Sequence, residues 1–221
     1  MILAAGALTA LAFAALPAVA SAEEVQAHCS LATCEGLVSG GAIKLSDDSG
    51  SATGQVSCAK TTGTVTQAAA TTTTVSTIIT FEECKEPVFG TECRNTDGAG
   101  KFVTNVLTGH LITVVKGDPT KVGILLTGFN VTFECPTLGI KKRITGNLIG
   151  TITNPQCGVA ASSHTLSFTQ TAAGQQTHKT YTGATFDLTI GPDNNEDTTT
   201  FSLTGEETIT YQGGAKVTLT C

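Results

Sequence analysis

The chain of 221 residues contains no tryptophan and only two tyrosines, Tyr181 and Tyr211. Flat aromatic platforms that stack sugar rings or unpaired bases are therefore disfavoured. Basic residues are also scarce: 12 lysines and arginines face 18 aspartates and glutamates, a net charge of −6. A phosphate backbone needs a basic face, so nucleic acid is not an expected partner. The one basic run, Lys141-Lys142-Arg143, falls in a strand-like segment whose side chains alternate between faces. No G-x-S-x-G elbow accompanies the four histidines, His28, His110, His164 and His178, which are scattered along the chain. No C-x-x-C pair suggests zinc. A sustained helical period is missing too, and after the leader no stretch is apolar enough to cross a bilayer.

What is present begins with that leader. MILAAGALTALAFAALPAVASAEEVQ is an apolar run ending in Ala20-Ser21-Ala22 before two glutamates. It reads as a secretory signal peptide, residues 1–22, cut between Ala22 and Glu23. All eight cysteines, at 29, 34, 58, 84, 93, 135, 157 and 221, follow the cut. In an exported chain an even number implies a disulfide framework and a secreted, extracellular protein.

Threonine is the commonest residue, and apolar residues alternate with it in run after run, the period-two signature of strands. In FNVTFEC, Phe129, Val131, Phe133 and Cys135 face inward. AKVTLTC places Ala215, Val217, Leu219 and Cys221 on one face, so the terminal cysteine is expected in the core. GATFDLTI turns Ala184, Phe186, Leu188 and Ile190 inward, and Val56 and Cys58 make a shorter case. Turns such as KGDPTK, GPDNNEDT and YQGGAK separate these runs. The expected fold is all-β: an antiparallel β-sandwich or flattened barrel of roughly ten to thirteen strands, stapled by disulfides. It fills residues 23–221 as a single domain. Gly63–Phe81 echoes Gly150–Phe168 in length and at several positions, which suggests two similar halves meeting near 135–145.

FEECKEPVFGTEC, GKFVTNVLTGHL, VGILLTGFNVTFEC and ITGNLIGTIT occur in the order seen in a group of uncharacterised secreted β proteins of actinobacteria. The chain resembles that group from about Thr61 to Thr153, and the resemblance implies no activity. The two cysteines around the loop recur together there, which implies that Cys84 pairs with Cys93. Such a bridge closes a short loop, worth on the order of 2 to 3 kcal/mol. The acidic neighbours Glu82, Glu83, Glu86 and Glu92 disfavour a thiolate and with it a redox role. Cys58 and Cys135, both inward on strands, are the next expected pair. Cys29, Cys34, Cys157 and Cys221 form the other two bridges in an order left open.

No cofactor is expected, with calcium as the alternative. Asp193, Asn195 and Asp197 alternate like the first oxygen ligands of a calcium loop, yet the glycine and the closing acid of that loop are missing, so a polar turn is preferred. Asn130-Val131-Thr132 matches a glycosylation sequon but lies within a strand. His164 shares a face with Leu166 and Phe168 and reads as a partly buried structural histidine. The reading is a non-catalytic, secreted structural or binding module acting through loops or a threonine-rich face, with no catalytic residues. Its conceivable partners are the cell envelope, a polysaccharide or another extracellular protein. The alternatives are a glycosidase-like hydrolase using carboxylates such as Glu82-Glu83 or Glu206-Glu207, and a calcium-stabilised structural protein.

Overall fold

The computed structural model describes residues 25–47, 55–95, 98–115, 118–154, 157–170, 188–192 and 199–221. The loop carrying Asp193, Asn195 and Asp197 lies outside the described residues, as do the leader, Ala184, Phe186 and His178. Fifteen strands follow in order among the described residues: β1 (Gln26–Cys29), β2 (Cys34–Gly40), β3 (Ile43–Asp47), β4 (Val56–Cys58), β5 (Lys60–Gln67), β6 (Thr71–Thr72), β7 (Thr74–Glu82), β8 (Phe102–Val103), β9 (Leu107–Thr113), β10 (Val122–Cys135), β11 (Ile140–Asn154), β12 (Ser163–Phe168), β13 (Leu188–Pro192), β14 (Thr199–Tyr211) and β15 (Val217–Thr220). Several are two or three residues long, which is why the count exceeds the expected range.

Every pairing is antiparallel, as short turns demand. The main sheet runs β12-β11-β10-β9-β7-β5-β2-β14, and β14 pairs back with β12, so the sheet closes on itself. Of the two expected shapes, sandwich or barrel, the chain takes the curled one. Three long strands traverse the whole tube. One half of β11 pairs with β12 and the other with β13. β14 pairs with β12 and β2 over one half, and with β13 and β3 over the other. Beyond β3 and β4, the segment around Cys84–Cys93 bridges the gap to the end of β10 through single residue pairs.

Alternation explains the closure. Inward positions carry Val38, Val65, Ile79, Phe81, Ile124, Leu126, Phe129 and Phe133, all buried in one continuous core. Outward positions on β2, β5 and β7 carry Glu35, Ser39, Thr64, Thr66 and Ser76, all exposed. An apolar filling and a hydroxyl-rich exterior reverse the pattern of a transmembrane barrel. Glycines let strands approach where the core is tight: a Cβ on Gly150 would lie 2.6 Å from the Phe168 ring.

One mouth of the tube is plugged by a small second sheet, β15-β1-β6. Val25, Ala27, Val217 and Leu219 from this cap pack with Leu111 and Val122 of the barrel. Cys29–Cys34 joins β1 to β2, and Cys157–Cys221 ties the end of the chain beside β15. Cys221 is exposed, not inward as alternation along AKVTLTC suggests, because β15 ends at Thr220 and the last residue leaves the pleat.

Candidate functional site

Four disulfides use all eight cysteines, so the fold belongs to an oxidising environment. The pairing corrects two expectations. Cys84 is bonded to Cys58 and Cys93 to Cys135; neither Cys84–Cys93 nor Cys58–Cys135 forms. The physical reason is the register. The loop's two stems lie between β4 and the end of β10, with Ser57 opposite Lys85, Lys85 opposite Glu92 and Arg94 opposite Glu134. Each cysteine of the hairpin therefore has a partner on the strand outside it as well as one across the loop. The outer bonds secure the hairpin to both neighbours. The remaining pairs are Cys29–Cys34 and Cys157–Cys221.

The hairpin carries the most exposed apolar group of the described surface: Phe89 is 64% exposed and Val88 53%. Their backbone is held from below. Glu86 is 1% exposed, and its carboxylate accepts hydrogen bonds from Val88 N–H at 3.1 Å and Phe89 N–H at 2.8 Å. Gly90 N–H donates to Glu86 carbonyl oxygen, and Glu86 N–H donates to Thr91 carbonyl oxygen, both at 2.9 Å. Pro87 and Gly90 suit this turn: Pro87 presets its own φ, and Gly90 takes a φ of 65°. Glu83, also at positive φ (56°), kinks the chain as it leaves β7. At the base, Glu82 bonds Lys101 at 3.3 Å and Lys60 at 3.4 Å. The Lys101 contact holds its carboxyl below the usual range. Arg94 meets Glu134 at 3.1 Å.

A second group of polar side chains lies inside the barrel near the cap. His164 on β12 is 2% exposed, and its Nδ1 is 2.9 Å from Tyr211 hydroxyl on β14. Burial pushes the His164 pKa down to about 4, so the ring is neutral, and raises that of Tyr211. His164 Nε2 has no hydrogen-bond partner among the described residues. It borders a cavity of about 30 Å³ beneath the cap, room for a water or two and no more. Gln67 fastens the cap above it, donating to Ala27, Ala69 and Ala70 carbonyl oxygens.

Glu207 faces inward two residues from Ile209, which pairs with His164. It is 2% exposed, and burial pushes its pKa up to about 7. Gly40 stands opposite and makes the room: a Cβ there would come within 3.2 Å of Glu207 Cγ. Glu206 points outward to solvent, so this pair does not converge on one face.

The structure thus brings Cys58, Cys84, Cys93 and Cys135 together and places the described histidines on three separate strands. His28 bonds Thr71 on the cap, and His110 lies on β9. Among the described residues no cluster of three metal-ligating side chains occurs. Sequence reasoning missed Glu86 and the Val88–Phe89 tip, although an acid two and three residues before exposed N–H groups, followed by Pro87 and preceding Gly90, is a legible turn signature. Comparison with known proteins gives no match to any family model, curated protein or solved structure.

Proposed function

We propose that the protein is a non-catalytic, secreted binding module that engages another extracellular protein through the Val88–Phe89 tip. One observation carries this reading: two large apolar side chains are held out in water by a buried carboxylate bonded to their own N–H groups, on a hairpin fixed to both neighbouring strands. Exposing them costs free energy that a fold without a partner would avoid, and fixing them beforehand lowers the ordering cost of binding. Such aromatic anchors carry the energy of protein interfaces when they enter a desolvated pocket. Exposed Lys85 and Glu92 stand opposite each other beside the tip, so the fitting partner offers an apolar pocket with a rim of both charge signs. The burial of Glu207 inside the core, where bulk water and a substrate do not reach its carboxyl, supports a binding role over hydrolysis by that group.

The test is co-sedimentation of the oxidised protein with cell envelope, before and after protease treatment of the envelope, and with insoluble polysaccharides. Saturable binding that protease removes and that V88S/F89S loses by tenfold or more supports the proposal. Binding that survives protease, or that the double variant retains, contradicts it and points to a polysaccharide or to the threonine-rich face.

A further inference from the structure

We propose that Cys58, Cys84, Cys93 and Cys135 form a thiol–disulfide exchange site at which one dithiol reductant releases both sides of the hairpin. This inference does not depend on what the tip binds. The antiparallel bridges Ser57–Lys85, Lys85–Glu92 and Arg94–Glu134 set the neighbouring residues opposite one another. The four cysteines therefore stand in one straight row across four adjacent chain segments, each at most 1% exposed. Within bonded pairs the Cα atoms are 3.9 Å apart for Cys58–Cys84 and 4.1 Å for Cys93–Cys135. Between the pairs, Cys93 N–H donates to Cys84 carbonyl oxygen at 3.0 Å, so the two inner cysteines are direct cross-strand neighbours as well. Cross-strand Cβ atoms lie about 4.5 to 5.5 Å apart, a spacing that small shifts convert to a disulfide. Cys58 and Cys135 are separated by three strand spacings, roughly 14 Å, and cannot join.

The row thus has two stable bookings of its sulfurs: two outer bonds when fully oxidised, or one central bond when two electrons have been added. A dithiol first reduces Cys58–Cys84, itself becoming a disulfide and leaving two thiols. The Cys84 thiolate then attacks Cys93 Sγ, the Cys84–Cys93 bond forms, and Cys135 leaves as a thiolate that takes up the proton Cys84 gave up. Reduction at Cys93–Cys135 leads to the same product by the mirror route. One two-electron event therefore cuts the hairpin from both β4 and β10 while stapling it across its own stems. Access comes by local opening: among the described residues, the stems meet these two strands through the single bridges Ser57–Lys85 and Arg94–Glu134 and the Arg94–Glu134 ion pair, beside the disulfides, and not through a continuous ladder.

Trypsin separates all four cysteines, because Lys60, Lys85, Arg94 and Lys121 fall between them. The test is limited reduction of the whole protein with dithiothreitol at about pH 8.5, alkaline enough to form thiolates even beside Glu82, Glu83, Glu86 and Glu92, followed by acid quenching, alkylation and peptide mapping. The expected product carries label on Cys58 and Cys135 together, with the peptides of Cys84 and Cys93 linked. Label on Cys58 with Cys84, or on Cys93 with Cys135, and no linked inner peptides would overturn the proposal. C58S gives an independent reading at equilibrium: its thiol label shifts from Cys84 to Cys135. Label confined to Cys84 in a folded C58S protein contradicts the exchange, and if C58S does not fold the wild-type map decides alone.

Discussion

Burial disfavours the charged form of both Glu207 and His164, and because one is an acid and the other a base, their effects on stability oppose each other. Glu207 keeps its proton up to about pH 7 in the fold and only to 4.5 in the unfolded chain. Its folded-state pKa is raised, so stability falls as pH rises from 4.5 to 7, by about 3 kcal/mol in all. His164 is neutral in the fold down to about pH 4 and protonates near 6.5 when unfolded. Its pKa is depressed, so its contribution falls as pH drops from 6.5 to 4. Between pH 4.5 and 6.5 the two slopes cancel. Urea midpoints of E207Q are expected to rise with pH across that window relative to wild type, and those of H164Q to fall. Parallel profiles for all three proteins would contradict this assignment. At the tip, E86A removes the acceptor of two N–H groups. It should cost about 1 to 2 kcal/mol and abolish hydrogen-exchange protection at Val88 and Phe89, while V88S/F89S leaves stability unchanged.

At the scale of elements, the cap and the hairpin are held differently. The cap sheet contributes few strands of its own and relies on a small apolar cluster, Gln67 and two disulfides at its edges. Cys157–Cys221 spans 64 residues, a closure worth on the order of 4 kcal/mol in the chain-entropy model. C157S/C221S is therefore expected to lose exchange protection in β15 and β1 first, with β10 and β11 protected. Simultaneous loss across all strands would show that cap and barrel open as one unit. Strand content was legible because period-two alternation survives even in short runs, as in FNVTFEC, where all four inward positions are buried. Pairing was not legible, because it depends on which strands become neighbours when the sheet curls. The echo of Gly63–Phe81 and Gly150–Phe168 shows the same limit. Both segments form antiparallel pairs, but Phe168 falls level with Gly150 while Phe81 falls opposite Thr61. Matching letters thus occupy registers two residues apart.

For the whole molecule, a closed barrel removes the exposed edges that a short-stranded, threonine-rich sheet would otherwise present. The gap between β4 and the end of β10 is the place where closure needs help, and the acidic hairpin fills it. The all-β class could be read from period-two alternation, and an oxidising environment from the eight cysteines. The candidate site could not, because Glu86 is buried only by a turn that the flanking disulfides position. The central claim is that this hairpin is fixed to both neighbouring strands, and so presents Val88 and Phe89 on a rigid base. A peptide map of the native, unreduced protein, digested at acid pH to prevent exchange, tests it most directly. The account predicts peptides linked as Cys58–Cys84 and Cys93–Cys135. Recovery of Cys84–Cys93 as the native bridge would contradict it and leave the loop stapled only to itself.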